Sequence, residues 1–174
     1  MPLVTSSAHA RHRRHRHRRR RHRHRAALPQ ANLYATDISL DALGIARENA
    51  RRPGVSRRIA FRHGDLLGPI PSYLDLIVAK LPYVTDGDLL DFEPELREYE
   101  PRLVLAAGPD GLSLIRSLLH QAPRYLQPGG AVCLEFGYGQ SQAVMFLARA
   151  ALPAASVSLR HDPAGQPRLL IGQL

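Results

Sequence analysis

The stretch that most constrains this chain is an apolar run followed at once by a stiff turn. Residues 75–83 read Asp-Leu-Ile-Val-Ala-Lys-Leu-Pro-Tyr. A short apolar run bounded by a turn signal is typical of a strand buried on both faces of a parallel sheet. Open α/β sheets bind their ligands just beyond the carboxyl ends of the strands. The turn at residues 80–83 is therefore predicted to lie where chemistry takes place.

Strand and helix signals alternate along most of the chain, which favours a mostly parallel α/β sheet. The first helix is predicted to begin after the cap Ser39, and the second after the cap Asp110. The third is predicted over about residues 140–151. Strands are predicted at residues 32–36, 59–62, 74–79, 131–136, 156–160 and 168–171. The last two are joined by a turn at residues 162–165, so they are expected to form an antiparallel hairpin at the end of the sheet.

The net charge of +9 is confined to one tract near the N-terminus. Residues 11–25 consist only of arginine and histidine, ten and five respectively, and the rest of the chain carries fourteen basic against fifteen acidic residues. We therefore expect a low-complexity tract over residues 1–25 and a single neutral domain over residues 26–174. The single cysteine, Cys133, excludes an internal disulfide. Since no apolar run reaches the ~20 residues that span a bilayer, a cytoplasmic chain without a membrane partner is expected.

Two aspartates follow predicted strands. Asp37 ends the first of them, and a carboxylate there can accept hydrogen bonds from both hydroxyls of a ribose. Asp65 follows the next strand and can accept from the exocyclic amine of an adenine, with Leu66 packing near the ring. The plainer interpretations are a helix cap for Asp37 and a turn residue for Asp65. Their occurrence on successive strand ends, ahead of Pro82 and Tyr83, favours a nucleoside site.

The turn after residue 79 carries the predicted substrate site. Pro82 stiffens the backbone after Leu81, and Tyr83 offers an aromatic face against which a planar amide or base can stack. This stretch resembles the strand and (N/D)-(P/L)-P-Y loop of methyltransferases that alkylate an amide or amine nitrogen. Residues 99–112, Tyr-Glu-Pro-Arg-Leu-Val-Leu-Ala-Ala-Gly-Pro-Asp-Gly-Leu, make the resemblance more specific. From residue 33 to 174 the chain resembles the HemK/PrmC family, whose members methylate a glutamine of bacterial peptide chain release factors.

The resemblance implies a class I methyltransferase (Rossmann-like) sheet, S-adenosylmethionine as methyl donor and the glutamine of a release-factor GGQ loop as acceptor. Asp37, Asp65, Leu66 and Lys80 would then bind the donor. The substrate amide would be bound by Lys80, Leu81, Pro82 and Tyr83, with Lys80, Pro82 and Tyr83 as the catalytic residues. Lys80 departs from the family pattern, which has Asn or Asp there. An Asn carbonyl would orient the amide and stabilise positive charge on its nitrogen, whereas lysine has only donors and a positive charge of its own.

Two family features are absent from the sequence: a helical N-terminal domain, and the first strand with its glycine-rich donor loop. The Arg/His tract stands where the loop belongs. It is open to three interpretations: a disordered arm that binds nucleic acid, a metal-binding tract, or a shifted reading frame. Read one base early in GC-rich DNA, residues 14–25 would encode a glycine-rich loop and small apolar residues.

Several consequences follow for the fold and the function. Unpaired arginine cannot be buried in a central strand without a large desolvation cost, so a gap in mid-sheet or a strained substitute is expected. We also expect an N-terminally truncated domain, weak donor binding and impaired transfer. The alternative functions are a DNA or RNA amino-methyltransferase, and an inactive basic domain that binds nucleic acid.

Overall fold

The computed structural model describes residues 31–51, 55–87 and 107–174, together with the backbone of residues 2–7. The Arg/His tract, and residues 99–106 of the family-specific stretch, lie outside this part of the chain. The strands, in chain order, are β1 (Pro2–Ser7), β2 (Asn32–Asp37), β3 (Ile59–His63), β4 (Leu74–Lys80), β5 (Leu126–Glu135), β6 (Ser156–His161) and β7 (Pro167–Gln173). In the described chain they form one sheet in the order β3-β2-β1-β4-β5-β7-β6.

This strand order confirms the predicted fold class. β1 to β5 pair in parallel, whereas β7 is antiparallel to both β5 and β6. The C-terminal hairpin expected at the end of the sheet is therefore present. The strand order turns back at β1, which lies between β2 and β4, so the crossovers leave in opposite directions from the middle of the sheet. Such a switch point is where doubly wound sheets bind their ligands.

The expected gap in mid-sheet is absent, because residues upstream of the Arg/His tract supply a substitute strand. Pro2–Ser7 pairs with β2 on one side and with β4 on the other. A short segment of six residues suffices because a central strand satisfies its backbone groups on both sides. The sheet thus includes residues upstream of the domain boundary predicted at residue 26.

The helices are α1 (Leu40–Arg51), α2 (Ser113–Gln121) and α3 (Ser141–Ala151), with short 3-10 turns at Ser56–Arg58 and Ala122–Arg124. Ser39 caps α1 as predicted, since its Oγ accepts the N–H of Ala42 at 3.2 Å. Asp110 does not cap α2, which begins three residues later. Its Oδ1 instead accepts the N–H of Leu112 at 3.0 Å, and its Oδ2 lies 2.8 Å from Nη2 of Arg116.

The core lies against β4, β5 and β7, where the buried side chains of the sheet meet α2 and α3. Its largest fully buried members on these elements are Leu74, Ile77, Ile115, Leu118, Leu119, Leu134 and Leu170, together with Phe136 just after β5. Burying one such side chain contributes about 1.5–3 kcal/mol to folding. This core fixes the carboxyl ends of β4, which leads into the predicted substrate turn, and of its neighbour β5. Within the described residues, no helix has both the length and the apolar character needed to cross a membrane.

We predict that proline at Val4 destabilises the fold, because β1 is hydrogen-bonded on both sides. Val4 is in register with Tyr34 of β2 and Ile77 of β4, so a proline there removes a ladder donor and leaves an acceptor unpaired. The free energy of unfolding in urea should fall by about 1–3 kcal/mol. The matched control is Ser156→Pro, at the first residue of the edge strand β6, which should cost much less. Equal losses in the two variants would show that residues 2–7 are not a central strand.

Candidate active site

The carboxyl ends of the five parallel strands meet at one edge of the sheet, as expected from their pairing. Asp37 ends β2 in register with His63 of β3, and Lys80 ends β4 in register with Glu135 of β5. β1 separates β2 from β4, so the backbones at Asp37 and Lys80 lie two strand spacings apart, roughly 10 Å. The edge therefore brings a predicted donor residue and the predicted substrate turn within the span of one ligand.

Asp37 occupies the predicted position at the end of β2 and also caps the following turn. Its Oδ1 accepts the N–H of Ser39 at 2.9 Å. Its backbone carbonyl accepts the N–H of Gly64 at 3.1 Å, which ties the ends of β2 and β3 together. Asp37 thus stabilises the turn before α1, whereas the helix cap itself is Ser39. The hydrogen bond to Ser39 also fixes the direction of the carboxylate at the edge.

Asp65 and Leu66 lie just beyond β3, and only the side chain of Leu66 differs from the expectation. Asp65 is exposed, while the side chain of Leu66 is only 4% exposed and belongs to the hydrophobic core. Leu66 also has a positive φ of 44°, a conformation that is uncommon for residues other than glycine. The side chain of Leu66 therefore packs in the core and is not available to pack against an adenine. Only the backbone of Leu66 remains for a ligand.

An open cavity of about 530 Å³ lies beside Asp65. Its lining comes from the end of β3 with the segment that follows, and from the end of α2 with the 3-10 turn that follows. The residues are His63, Gly64, Asp65, Gly68 and Pro69, and Gln121, Arg124 and Tyr125. The side chain of Gln121 braces this segment, since its Oε1 accepts the N–H of Leu67 at 3.1 Å. The cavity has no lining residue from the turn after β4. The substrate turn and this cavity are consequently separate features of the molecule.

The turn after β4 is anchored at its first residue and half-buried beyond it. Leu81 is 4% exposed and packs in the core, whereas Pro82 and Tyr83 are half-buried. Burial raises the pKa of the Tyr83 phenol above its ordinary value of 10.0. The carboxylate of Glu135 raises this pKa further, and the guanidinium of Arg168 opposes both effects. Tyr83 therefore stays neutral and presents its ring beside the end of β5.

Lys80 is paired with an acidic residue that the sequence did not single out. Its Nζ lies 3.5 Å from Oε1 of Glu135, and the two side chains are 45% and 26% exposed. The pairing follows from the register of β4 and β5, which places the two residues side by side. The carboxylate offsets part of the charge that Lys80 brings to the edge. It does not supply the missing amide oxygen at position 80.

Among the residues that the structure describes, no cluster of three or more His, Cys, Asp or Glu side chains could hold a metal ion.

Gln140 is a second residue that the sequence analysis missed. Its side-chain amide hydrogen-bonds to the backbone of three segments, at Gly137, Tyr83 and Asp110. The signal in the sequence was weak: a glutamine that follows the glycine-containing turn Gly-Tyr-Gly at residues 137–139. Periodicity and spacing do not distinguish it from Gln142, which is exposed on α3.

Comparison with known proteins agrees with this geometry. A family model described as RMKL-like, methyltransferase domain, matches residues 3–92, just over half of the chain. The chain belongs to this methyltransferase family. It is 43% identical over 145 residues to the release factor glutamine methyltransferase of Moorella thermoacetica, an alignment that covers 83% of this chain and 51% of the relative. It is 40% identical over 149 residues to the enzyme of the same name from Cereibacter sphaeroides, covering 86% and 53%. The predicted resemblance is thereby confirmed.

The fold comparison is equally clear. The structure of a methyltransferase from Pyrococcus furiosus superposes with a TM-score of 0.65 at 16% identity, covering 98% of this chain and 74% of that one. At this identity the likeness concerns the fold alone, and it confirms the class I methyltransferase sheet. This methyltransferase chain spans about half the length of the curated relatives it matches.

The raised pKa of Tyr83 predicts a specific loss of stability at alkaline pH. The unfolded phenol ionises first, so its contribution is fully present below about pH 10 and is lost as the pH rises through the higher folded-state pKa. Tyr83→Phe should therefore show a shallower fall in the free energy of unfolding between about pH 9 and pH 11 than the unaltered chain. Tyr138→Phe, at a tyrosine that is 75% exposed, is the control and should leave the slope unchanged. An unchanged slope in Tyr83→Phe would mean that the phenol is not buried beside Glu135.

Proposed function

We propose that this chain is the catalytic part of an S-adenosylmethionine-dependent methyltransferase that acts on the side-chain amide of a glutamine in peptide chain release factors. The observation that carries the proposal is the position of Leu81, Pro82 and Tyr83 directly after β4, at the strand edge that also presents Asp37 and Asp65. The relatives named release factor glutamine methyltransferase, 40–43% identical over most of this chain, support the choice of substrate. Since translation takes place in the cytoplasm, we place the enzyme there.

The residues at the edge suit a nucleoside sulfonium donor. Asp37 would accept hydrogen bonds from the ribose hydroxyls, and Asp65 would accept from the adenine amine, with the backbone of Leu66 beside the ring. Asp37 is in register with His63, the last residue of β3, and Asp65 follows two residues later at the same edge. S-adenosylmethionine supplies the methyl group on its sulfonium centre. The glycine-rich loop expected beside it, and the Arg/His tract in its place, lie outside the described residues, so weak donor binding stays a prediction.

The turn after β4 would hold the acceptor amide. Pro82 restricts the φ angle of the backbone in this turn. The ring of Tyr83 provides a flat, neutral surface for the planar amide. Nitrogen gains positive charge as it accepts a methyl group, so an acceptor oxygen near it lowers the barrier. Lys80 offers no acceptor, and its charge is only partly offset by Glu135 at 3.5 Å. We therefore propose that transfer by this chain is impaired at position 80.

Substitution at Lys80 tests this proposal. With S-adenosylmethionine and a purified release factor, the unaltered chain should methylate the GGQ glutamine at a rate near background. Lys80→Asn should raise the rate by ~10²–10³, the usual effect of one preorganised polar group at a reacting centre. Lys80→Ala is the matched control: it removes the charge without adding an acceptor and should recover much less. The rate is measured by mass spectrometry of the GGQ peptide, and donor affinity by calorimetry with S-adenosylhomocysteine.

Three outcomes would count against the proposal. Equal rates for Lys80→Asn and Lys80→Ala would show that residue 80 does not orient the amide. Methyl incorporation into DNA or RNA instead of the release factor would identify the chain as a nucleic-acid amino-methyltransferase. Tight, salt-sensitive nucleic-acid binding without transfer by any variant would identify an inactive binding domain.

A further inference from the structure

The side chain of Gln140 joins three separate parts of the chain at the carboxyl edge. Its Nε2 donates to the backbone carbonyl of Tyr83 at 3.0 Å and to that of Asp110 at 3.2 Å. Its Oε1 accepts the N–H of Gly137 at 2.8 Å. The turn after β4, the turn before α2 and the turn after β5 are thus held together by one amide group.

The partners of Gln140 require an amide. A backbone N–H can only donate and a backbone carbonyl can only accept, so the oxygen must face Gly137 and the nitrogen must face Tyr83 and Asp110. Both Nε2 hydrogens and one Oε1 lone pair are used. A glutamate of the same shape could keep the bond to Gly137, but it would turn an acceptor toward two other acceptors. The chemistry therefore demands glutamine rather than any polar side chain of this length.

Two glycines let the three segments approach this closely. A Cβ at Gly137 would lie 2.9 Å from Oε1 of Gln140 and 2.9 Å from Cδ2 of Tyr83. At Gly111, whose φ is +70°, a Cβ would overlap the carbonyl oxygen of Tyr83 and lie 2.6 Å from Nε2 of Gln140. Real Cβ atoms do not make contacts this short. The packing around Tyr83 thus depends on the absence of side chains at these two positions.

We propose that Gln140 is a positioning residue that fixes the Pro82–Tyr83 turn relative to the ends of β4 and β5. It acts through the backbone of Tyr83 and touches neither donor nor acceptor itself. That the turn receives a glutamine amide rests on the proposed function, whereas the fixing of the turn does not. A displacement of about 1 Å at a reacting centre can cost ~10²-fold in rate, so a tether on Tyr83 has catalytic consequences.

The first test needs no activity and uses the full chain. Gln140→Met keeps the length of the side chain but removes all three hydrogen bonds, and Gln142→Met makes the same change on the exposed face of α3. By NMR, the Gly137 amide should exchange at least about fivefold faster in Gln140→Met, the factor expected for one lost hydrogen bond. The titration midpoint of the Tyr83 phenol, assigned by comparison with Tyr83→Phe, should fall toward 10.0 as the ring gains solvent. Gln142→Met should change neither.

Gln140→Glu gives a second and milder variant in case Gln140→Met does not fold. Its carboxylate can still accept from Gly137, so exchange of that amide should stay slow. The backbone signals of residues 83 and 110 should shift, because their carbonyls lose a donor. The proposal would be overturned if the signals of residues 83 and 110 kept their positions in Gln140→Glu. It would also be overturned if Gly137 exchange and the Tyr83 titration midpoint were unchanged in Gln140→Met.

The second test measures the consequence for catalysis in the Lys80→Asn chain. Adding Gln140→Met should lower kcat for release-factor methylation by ~10–10²-fold and leave KM for S-adenosylmethionine within about twofold, since the donor residues are untouched. Unchanged kcat, together with a loosened Tyr83, would reject the positioning role. Absence of methylation in Lys80→Asn at a saturating concentration of S-adenosylmethionine would count against the proposed function alone, because the NMR test decides the tether independently.

Discussion

The parallel pairing of β4 with β5 is the constraint on which the rest of this site depends. It aligns the two strand ends, so Lys80 and Glu135 become neighbours and the turn that follows begins at the edge of the sheet. Buried aliphatic side chains on both strands, such as Ile77 on β4 and Leu134 on β5, fix that register, since a slip by one residue would turn every inward side chain outward. Leu81 extends this core into the turn itself. The position of Tyr83 is thus set by packing on one side and by the Gln140 amide on the other.

The edge combines groups of opposite electrostatic character within a short distance. Glu135 lies between a lysine that it pairs with and a phenol whose pKa it helps to raise, and Arg168 acts on the same phenol in the opposite sense. The phenol of Tyr83 is neutral and half-buried, and it lies beside the Lys80–Glu135 ion pair. Such a surface suits an uncharged planar group. This character fits the proposed amide acceptor better than a phosphate or a carboxylate. Under the proposed function, replacement of Lys80 would leave the negative charge of Glu135 at the edge, where it would favour positive charge developing on nitrogen.

Local patterns in the sequence predicted the described helices and the strands from β2 onward, because each is an apolar segment with a clear period and punctuated ends. Residues 32–36, for example, are predicted as a strand and lie within Asn32–Asp37. The strand at Pro2–Ser7 was not predicted, since six residues of mixed polarity acquire strand structure only from pairing on both sides. The buried position of Leu66 was not predicted for a related reason. Its positive φ turns the side chain inward, and no pattern in the sequence signals a positive φ at this residue.

The site residues divide in the same way, into those that local sequence signals predict and those that depend on contacts between distant segments. Asp37, Asp65 and the Leu81-Pro82-Tyr83 turn could be singled out because strand ends and turn residues are local signals. Glu135 and Gln140 could not, because their roles arise from contacts across 55 and 57 residues of chain, with Lys80 and Tyr83 respectively. A resemblance to a family points to the residues that match its motif. The contacts that hold those residues in place become visible only when the segments are brought together in three dimensions.

The most direct measurement of the central claim is a titration of the ¹⁵N-labelled chain with S-adenosylhomocysteine, followed by NMR. Amide shifts should concentrate at the carboxyl edge, around residues 37–39, 64–67 and 80–83, even where binding is weak. The far ends of the strands, near residues 126 and 173, should stay unchanged. Shifts confined to those far ends, or none at millimolar ligand, would contradict the assignment of the donor and acceptor sites to this edge.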